Sequence, residues 1–134
     1  MKKILILQGG YNEEHKVSIN TAKQIAKVLS KLKLDFKTLV VKPDTFEKDI
    51  LKFSRKYICF NALHGTFGED GKIQRILKNN KFCFTHSNQI ASYNCFDKLK
   101  SKKIVKKFNI NTPSFEIIKC ENINSKLLNR MKKK

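Results

Sequence analysis

A histidine, three glycines and two carboxylates are crowded into the run His64-Gly65-Thr66-Phe67-Gly68-Glu69-Asp70-Gly71. Imidazole can donate a hydrogen bond to an oxygen on which negative charge develops. Glycine lets a backbone approach a ligand closely or adopt positive φ. A turn by itself does not require imidazole, so His64 is read as functional. Glu69 and Asp70 have a plainer role, since acids near a helix N-terminus are favoured by its dipole. A second candidate is Gly9-Gly10, followed by Glu13, Glu14, Val17 and Ser18. Glycines ahead of a helix suit a backbone that approaches a charged ligand, because the helix start favours a carboxylate or phosphate. A tight turn, dipole compensation by the glutamates and helix capping by Ser18 are the plainer readings of the same residues.

Both candidates follow short apolar runs. Ile4 to Leu7 reads as a buried strand, and so does Tyr57 to Asn61. Ser18 to Lys33 carries Ile19, Ala22, Ile25, Ala26, Leu29 and Leu32 on one helical face, with lysines on the other. Phe36 to Val41 reads as a second strand closed by Pro43, and Thr45 to Phe53 as a weaker helix. Gly68 to Asn79 reads as a third helix and Phe82-Cys83-Phe84 as a short fourth strand. This alternation argues for an α/β fold, a Rossmann-like parallel sheet with helices on both faces. Right-handed crossovers then bring the carboxyl ends of the strands to one edge, where open α/β sheets bind ligands. Gly9-Gly10 and His64-Gly65 can therefore share one cleft. Beyond that unit, Ser87 to Cys95 and the lysine-dense Asp97 to Phe108 read as helices. Asn111-Thr112-Pro113 breaks the pattern, Phe115 to Ile118 reads as a further strand, and Lys119 onward is a polar basic tail.

The length of 134 residues allows one domain with a real core. Twenty-nine Lys+Arg against 11 Asp+Glu give a net charge of +18. Nucleic acid is one partner that such charge suits. However, the cations are nearly all lysine, and the planar guanidiniums that read base edges are scarce. No specific nucleic-acid partner is expected; loose, salt-sensitive polyanion binding is the weakest of three functional readings. Cys59, Cys83, Cys95 and Cys120 form no C-x-x-C pair, which leaves zinc and redox motifs unsupported. Cys59 and Cys83 fall in apolar strands and are expected to be buried thiols. The apolar run after Met1 is too short for a signal peptide, and no stretch reaches transmembrane length. A cytoplasmic protein without membrane contact is expected.

The motifs also carry a family resemblance. The segment NALHGTFGEDGKIQ resembles the first signature of D-alanine–D-alanine ligases, members of the ATP-grasp superfamily. Ile4 to Gly10 with Glu14, Val17 and Ser18 is a second match. Phe84-Thr85 with Ser87, Ala91-Ser92, Asp97-Lys98 and Ser101-Lys102 is a third, in the family's order and spacing. The resemblance implies a pre-ATP-grasp substrate domain over residues 1–96, the beginning of a central ATP-grasp domain over 97–118 and a poorly ordered basic tail over 119–134. It implies that Glu14 holds the ammonium of the first D-alanine, a task that suits a carboxylate. It also implies that His64 stabilises charge on the acyl group, that Gly65 adds a backbone N–H, and that Gly9, Gly10, Val17 and Ser18 border the substrate. Lys98 matches a lysine near the nucleotide. His15 and His86 are expected at the surface.

The chain departs from the family at Asn12, where serine is common, at Lys16, where an acid is common, and at His86, where glycine stands. Arg75 takes the place of a small residue and is expected to crowd its helix. Complete family members are more than twice as long, and most of the grip on ATP and Mg²⁺ lies outside the matched segment. The resemblance thus implies the N-terminal portion of a peptidoglycan-building ligase, inactive alone, completed by an ATP-grasp polypeptide and pairing as a homodimer. A stand-alone module for a small amino acid or peptide is the alternative. No metal ligand set is read from the sequence.

Overall fold

The computed structural model describes residues 3–119, 121 and 123–132. Cys120 and the last two lysines lie outside the described residues. The chain divides into two compact units, one ending at Lys103 and a smaller one beginning at Ile104.

The first unit is built on four parallel strands: β1 (Lys3–Gly9), β2 (Phe36–Val41), β3 (Tyr57–Asn61) and β4 (Cys83–Phe84). Their order is β2-β1-β3-β4, with Ile4 beside Phe36 on one flank and beside Ile58 on the other. Parallel neighbours need long crossovers. α1 (His15–Lys31) carries the chain from β1 to β2, α2 (Phe46–Ile50) from β2 to β3, and α3 (Lys72–Asn79) from β3 to β4. The first crossover leads from β1 to one edge and the last from β3 to the other. The ends of β1 and β3 therefore flank the point where an open α/β sheet forms its crevice.

β1 explains why the sheet needs cover on both faces. Leu5, Ile6 and Leu7 are all wholly buried, and successive side chains of a strand point to opposite faces. Leu5 and Leu7 join Phe46, Ile50, Ile73 and Leu77, so α2 and α3 cover that face. Ile6 joins Ala22 and Leu29 of α1, with Ile4, Ile25 and Ala26 packed alongside. The predicted doubly covered parallel sheet is the observed one.

Several expectations are corrected. α3 begins at Lys72 rather than Gly68, because Gly71 takes φ +90 ahead of the helix. The residues before it are left for the loop. Cys59, in central β3, is wholly buried, but Cys83 is exposed. β4 is a two-residue edge strand with one neighbour, too short to cover it. Arg75 lies exposed on α3 rather than pressed into it. His86 is exposed as expected, yet holds φ +85, in the region that glycine adopts freely. Its ring packs edge-on against Phe60 with centroids 5.5 Å apart.

After β4, α4 (Gln89–Phe96) starts at Asn88, whose side chain accepts from the Ala91 N–H at 3.0 Å. Asp97 likewise accepts from the N–H groups of Leu99 and Lys100 at the head of α5 (Lys98–Lys106). In the smaller unit the strand expected over 115–118 does not form, and Phe115 and Ile117 are exposed. A strand requires a ladder partner for its backbone groups, and no strand occurs among the described residues of that unit. α6 (Ser125–Lys132) lies in the basic tail. Among the described residues, no helix is long and apolar enough to cross a membrane.

Candidate functional site

The ends of β1 and β3 are joined by one hydroxyl. Ser18, in the first turns of α1, is wholly buried. Its Oγ accepts from the Gly9 N–H at 2.9 Å and donates to the Ala62 carbonyl at 2.8 Å. It is not a helix cap; Glu14 holds that position. Gly9 and Gly10 take φ +99 and +88, so the turn after β1 requires glycine conformations. Their N–H groups are both engaged internally, Gly9 with Ser18 and Gly10 with the Val41 carbonyl at 3.0 Å. The Gly10 carbonyl faces His15 Nδ1 at 2.7 Å, which ties the surface histidine to the same turn.

The two loops meet through Asn12, Glu14 and Gly65. Asn12 Nδ2 donates to the carbonyls of His64 at 2.7 Å and Thr66 at 3.2 Å, while its Oδ1 accepts from the Glu14 N–H at 3.0 Å. Glu14 makes no capping bond with its side chain. Its carboxylate lies against Gly65 instead: a Cβ on Gly65, at φ +68, would collide with Glu14 Oε2 and meet Asn12 Nδ2 at 2.9 Å. The absence of a side chain at Gly65 is what allows this approach. Val17 is exposed on α1, close in sequence but bound to none of these groups by a hydrogen bond.

His64 stands between two oxygens. Its Nε2 lies 3.0 Å from Thr21 Oγ1 on α1, and its Nδ1 lies 3.9 Å from Glu69 Oε1. Glu69 Oε2 accepts the Gly65 N–H at 3.0 Å, and the Glu69 N–H donates back to the Gly65 carbonyl at 2.9 Å. Glu69 is thus not merely a helix-dipole residue; it braces the histidine turn. The rest of that turn is pinned through the Gly68 carbonyl, which accepts from Asn61 Nδ2 at 2.8 Å and Gln74 Nε2 at 2.9 Å. Gln74 Oε1 is the one buried side-chain polar atom without a hydrogen-bond partner among the described residues. Asp70 closes the turn, accepting the Lys72 N–H at 3.0 Å and pairing with its ammonium at 3.0 Å. Partial burial pushes the Asp70 carboxyl up. The N–H groups of Lys72 and Phe67 with the Lys72 ammonium outweigh that, and hold it below the ordinary carboxylate value.

A cleft of about 620 Å³ opens beside this turn, lined by Thr21, His64, Glu69, Gln74, Ser92 and Lys98 among others. Lys98, exposed at the head of α5, is therefore brought to the same cleft as His64. Glu14, Gly9, Gly10 and Val17 are not part of its lining; Glu14 reaches the site at Gly65. A second cavity, about 640 Å³, lies against the other end of the turn, where Asp70, Lys72 and Arg75 line it with Tyr93 and Lys100 of the following helices. Among the described residues, no three His, Cys, Asp or Glu side chains converge to hold a metal ion. Sequence reasoning missed Asn12, Thr21, Asn61 and Gln74. Asn12 carried a signal, as a departure from the family pattern beside the glycine turn. Asn61 and Gln74 stand at the two ends of the motif segment and both bond Gly68, only 7 and 6 positions away, whereas Thr21 is an ordinary polar residue whose partner lies far along the chain.

Comparison with known proteins extends this picture. No protein-family model matches the chain. It is 49% identical over 115 residues to the D-alanine–D-alanine ligase of Pelagibacter ubique, a match covering 85% of this chain and 37% of that protein. It is 38% identical over 117 residues to the D-alanine–D-alanine ligase of Methylacidiphilum infernorum, covering 87% and 37%. Among solved structures, the ATP complex of the Bacillus anthracis D-alanine–D-alanine ligase superposes with a TM-score of 0.75 at 30% identity, over 98% of this chain and 45% of that one. The Aeromonas hydrophila ligase, 21% identical with a TM-score of 0.76, shares the fold, over 96% of this chain and 54% of that one. The chain thus spans between about a third and a half of the length of the relatives it matches. With the glycine turn, the braced histidine loop and the parallel sheet that joins them, these matches place the chain in the D-alanine–D-alanine ligase family, as its N-terminal portion.

Proposed function

We propose that this chain supplies the first D-alanine site of a D-alanine–D-alanine ligase that builds the peptidoglycan dipeptide in the cytoplasm. The observation that carries the reading is the approach of Glu14 Oε2 to Gly65, the residue next to His64, which brings together two loops far apart in sequence. Glu14 offers a carboxylate to the substrate ammonium, and His64 faces the acyl end. In the complete reaction the γ-phosphoryl group of ATP passes to the D-alanine carboxylate and ADP leaves. The amine of a second D-alanine then attacks the acyl carbon, giving up its proton, and phosphate departs. ATP held with Mg²⁺ would supply the phosphoryl group and the charge neutralisation that such transfers depend on. Lys98 is the family-matched cation in the cleft, and the described residues hold no metal ligand cluster, so they do not fit the whole nucleotide site. In this proposal an ATP-grasp polypeptide completes that site, the chain alone is inactive, and copies pair as in other family members.

Millimolar D-alanine added to the ¹⁵N-labelled chain should move the amide resonances of Gly65 and His64. Glu14→Gln should weaken the response about 10- to 100-fold, the worth of a charge-assisted bond of about 1.5–3 kcal/mol. An unmoved spectrum, or equal binding by the variant, would refute the reading. A stand-alone amino-acid module would bind equally well yet gain no ligase activity on co-expression with an ATP-grasp segment from a relative. Polyanion binding would ignore Glu14→Gln and vanish with added salt.

A further inference from the structure

A neutral imidazole has one N–H and one lone pair, and its neighbours determine which nitrogen carries which. For His64 the two sides are unequal. Thr21 Oγ1, 3.0 Å from Nε2, can either donate or accept, so it suits both tautomers. Glu69 can only accept. With its Oε1 3.9 Å from Nδ1, a lone pair on Nδ1 would face a carboxylate, whereas a proton there is attracted to it. Glu69 cannot swing away freely, because its Oε2 holds the Gly65 N–H and its own N–H holds the Gly65 carbonyl.

We propose that Glu69 is the positioning residue for His64: it selects the Nδ1–H tautomer, leaves Nε2 to accept the Thr21 hydroxyl, and so makes Nδ1–H the donor that His64 presents. The distance of 3.9 Å is too long for a hydrogen bond, so this N–H remains available for a ligand oxygen. The Gly65 N–H faces the other oxygen of the same carboxylate. The two donors that would meet an acyl oxygen thus flank one side chain, and the oxygen gains the Gly65 N–H only by displacing Glu69 Oε2. That last step rests on the function proposed above; the choice of tautomer does not.

Long-range ¹H–¹⁵N correlation spectra of the whole chain at about pH 8, above the ordinary histidine value, separate the two ring nitrogens. The His64 ring should be protonated at Nδ1, with Nε2 bearing the lone pair. In Glu69→Ala the ratio of Nδ1–H to Nε2–H should fall about tenfold or more, as Nε2 begins to donate to Thr21. Thr21→Val, which keeps the carboxylate, should retain the proton on Nδ1 and shift only the Nε2 resonance. Should Glu69→Ala fail to fold, Glu69→Gln removes the charge while keeping an oxygen for Gly65, and the ratio should still fall. An Nε2–H ring in the unmodified chain would overturn the proposal, and so would a tautomer ratio indifferent to Glu69. An Nδ1–H ring in a chain that ignores D-alanine would leave the tautomer assignment standing and refute the substrate reading.

Discussion

Ser18→Ala is the sharpest test of how the site is built. The hydroxyl bridges the Gly9 N–H and the Ala62 carbonyl at 2.9 and 2.8 Å, in a place that water does not reach. Its removal leaves a buried donor without a partner and a buried carbonyl short of one bond. An unsatisfied buried group costs about 1–3 kcal/mol and a net hydrogen bond about 1 kcal/mol, so the variant should lose about 2–4 kcal/mol. At about 4–8 °C per kcal/mol for a unit of this size, its midpoint should fall by at least about 8 °C. Glu14→Gln is the control. Glu14 is exposed and makes no capping bond with its side chain, so the change should stay within about 0.5 kcal/mol. Urea and thermal unfolding followed by circular dichroism would measure both. A Ser18→Ala protein as stable as its parent would mean that the hydroxyl does not join the two strand ends, and the account of how β1 and β3 position the loops would fail.

Two further outcomes follow from titratable groups. Asp70, held below the ordinary carboxylate value, contributes stability that is full above its unfolded value of about 3.9 and is lost as the pH falls through the folded value. Asp70→Asn should therefore remove part of the acid destabilisation seen between about pH 5 and pH 2, and parallel acid limbs in urea-midpoint curves would contradict the assignment. Burial pushes the Cys59 thiol up to about 12, with a smaller push from Cys83. Cys59→Ser should thus leave the number of thiols titrated by an aromatic disulfide near neutral pH unchanged, whereas Cys83→Ser should lower it by one. Loss of a reactive thiol in Cys59→Ser would show that β3 is not covered as described.

The sheet was legible because its strands are short continuous apolar runs separated by helical periodicity, a pattern set by local side-chain chemistry. Ile4 to Leu7 must be covered on both faces whatever packs there. The glycine turns were equally visible, since residues at φ +99 and +88 favour glycine. The strand expected at Phe115 to Ile118 failed because β structure is a property of pairs: apolar residues in a row do not supply the neighbour that completes the ladder. Cys83 failed for a related reason, as a position on an edge is not encoded in the residue.

Residue type and spacing alone determined the parallel α/β architecture, the two loops that share one edge, and the candidate His64; Glu14 became a candidate through the resemblance to D-alanine–D-alanine ligases. Only the tertiary structure decided what those groups touch. Ser18 proved to be a buried tie between strands, Asn12 a clamp between loops, and Glu69 a brace on the histidine. Thr21 met His64 Nε2 across a separation of 43 positions in sequence. Periodicity reports which side of an element is apolar, because that depends on neighbours along the chain. Hydrogen-bond partners depend on which elements the core brings together, and a polar side chain looks the same in sequence whether it meets water or a histidine.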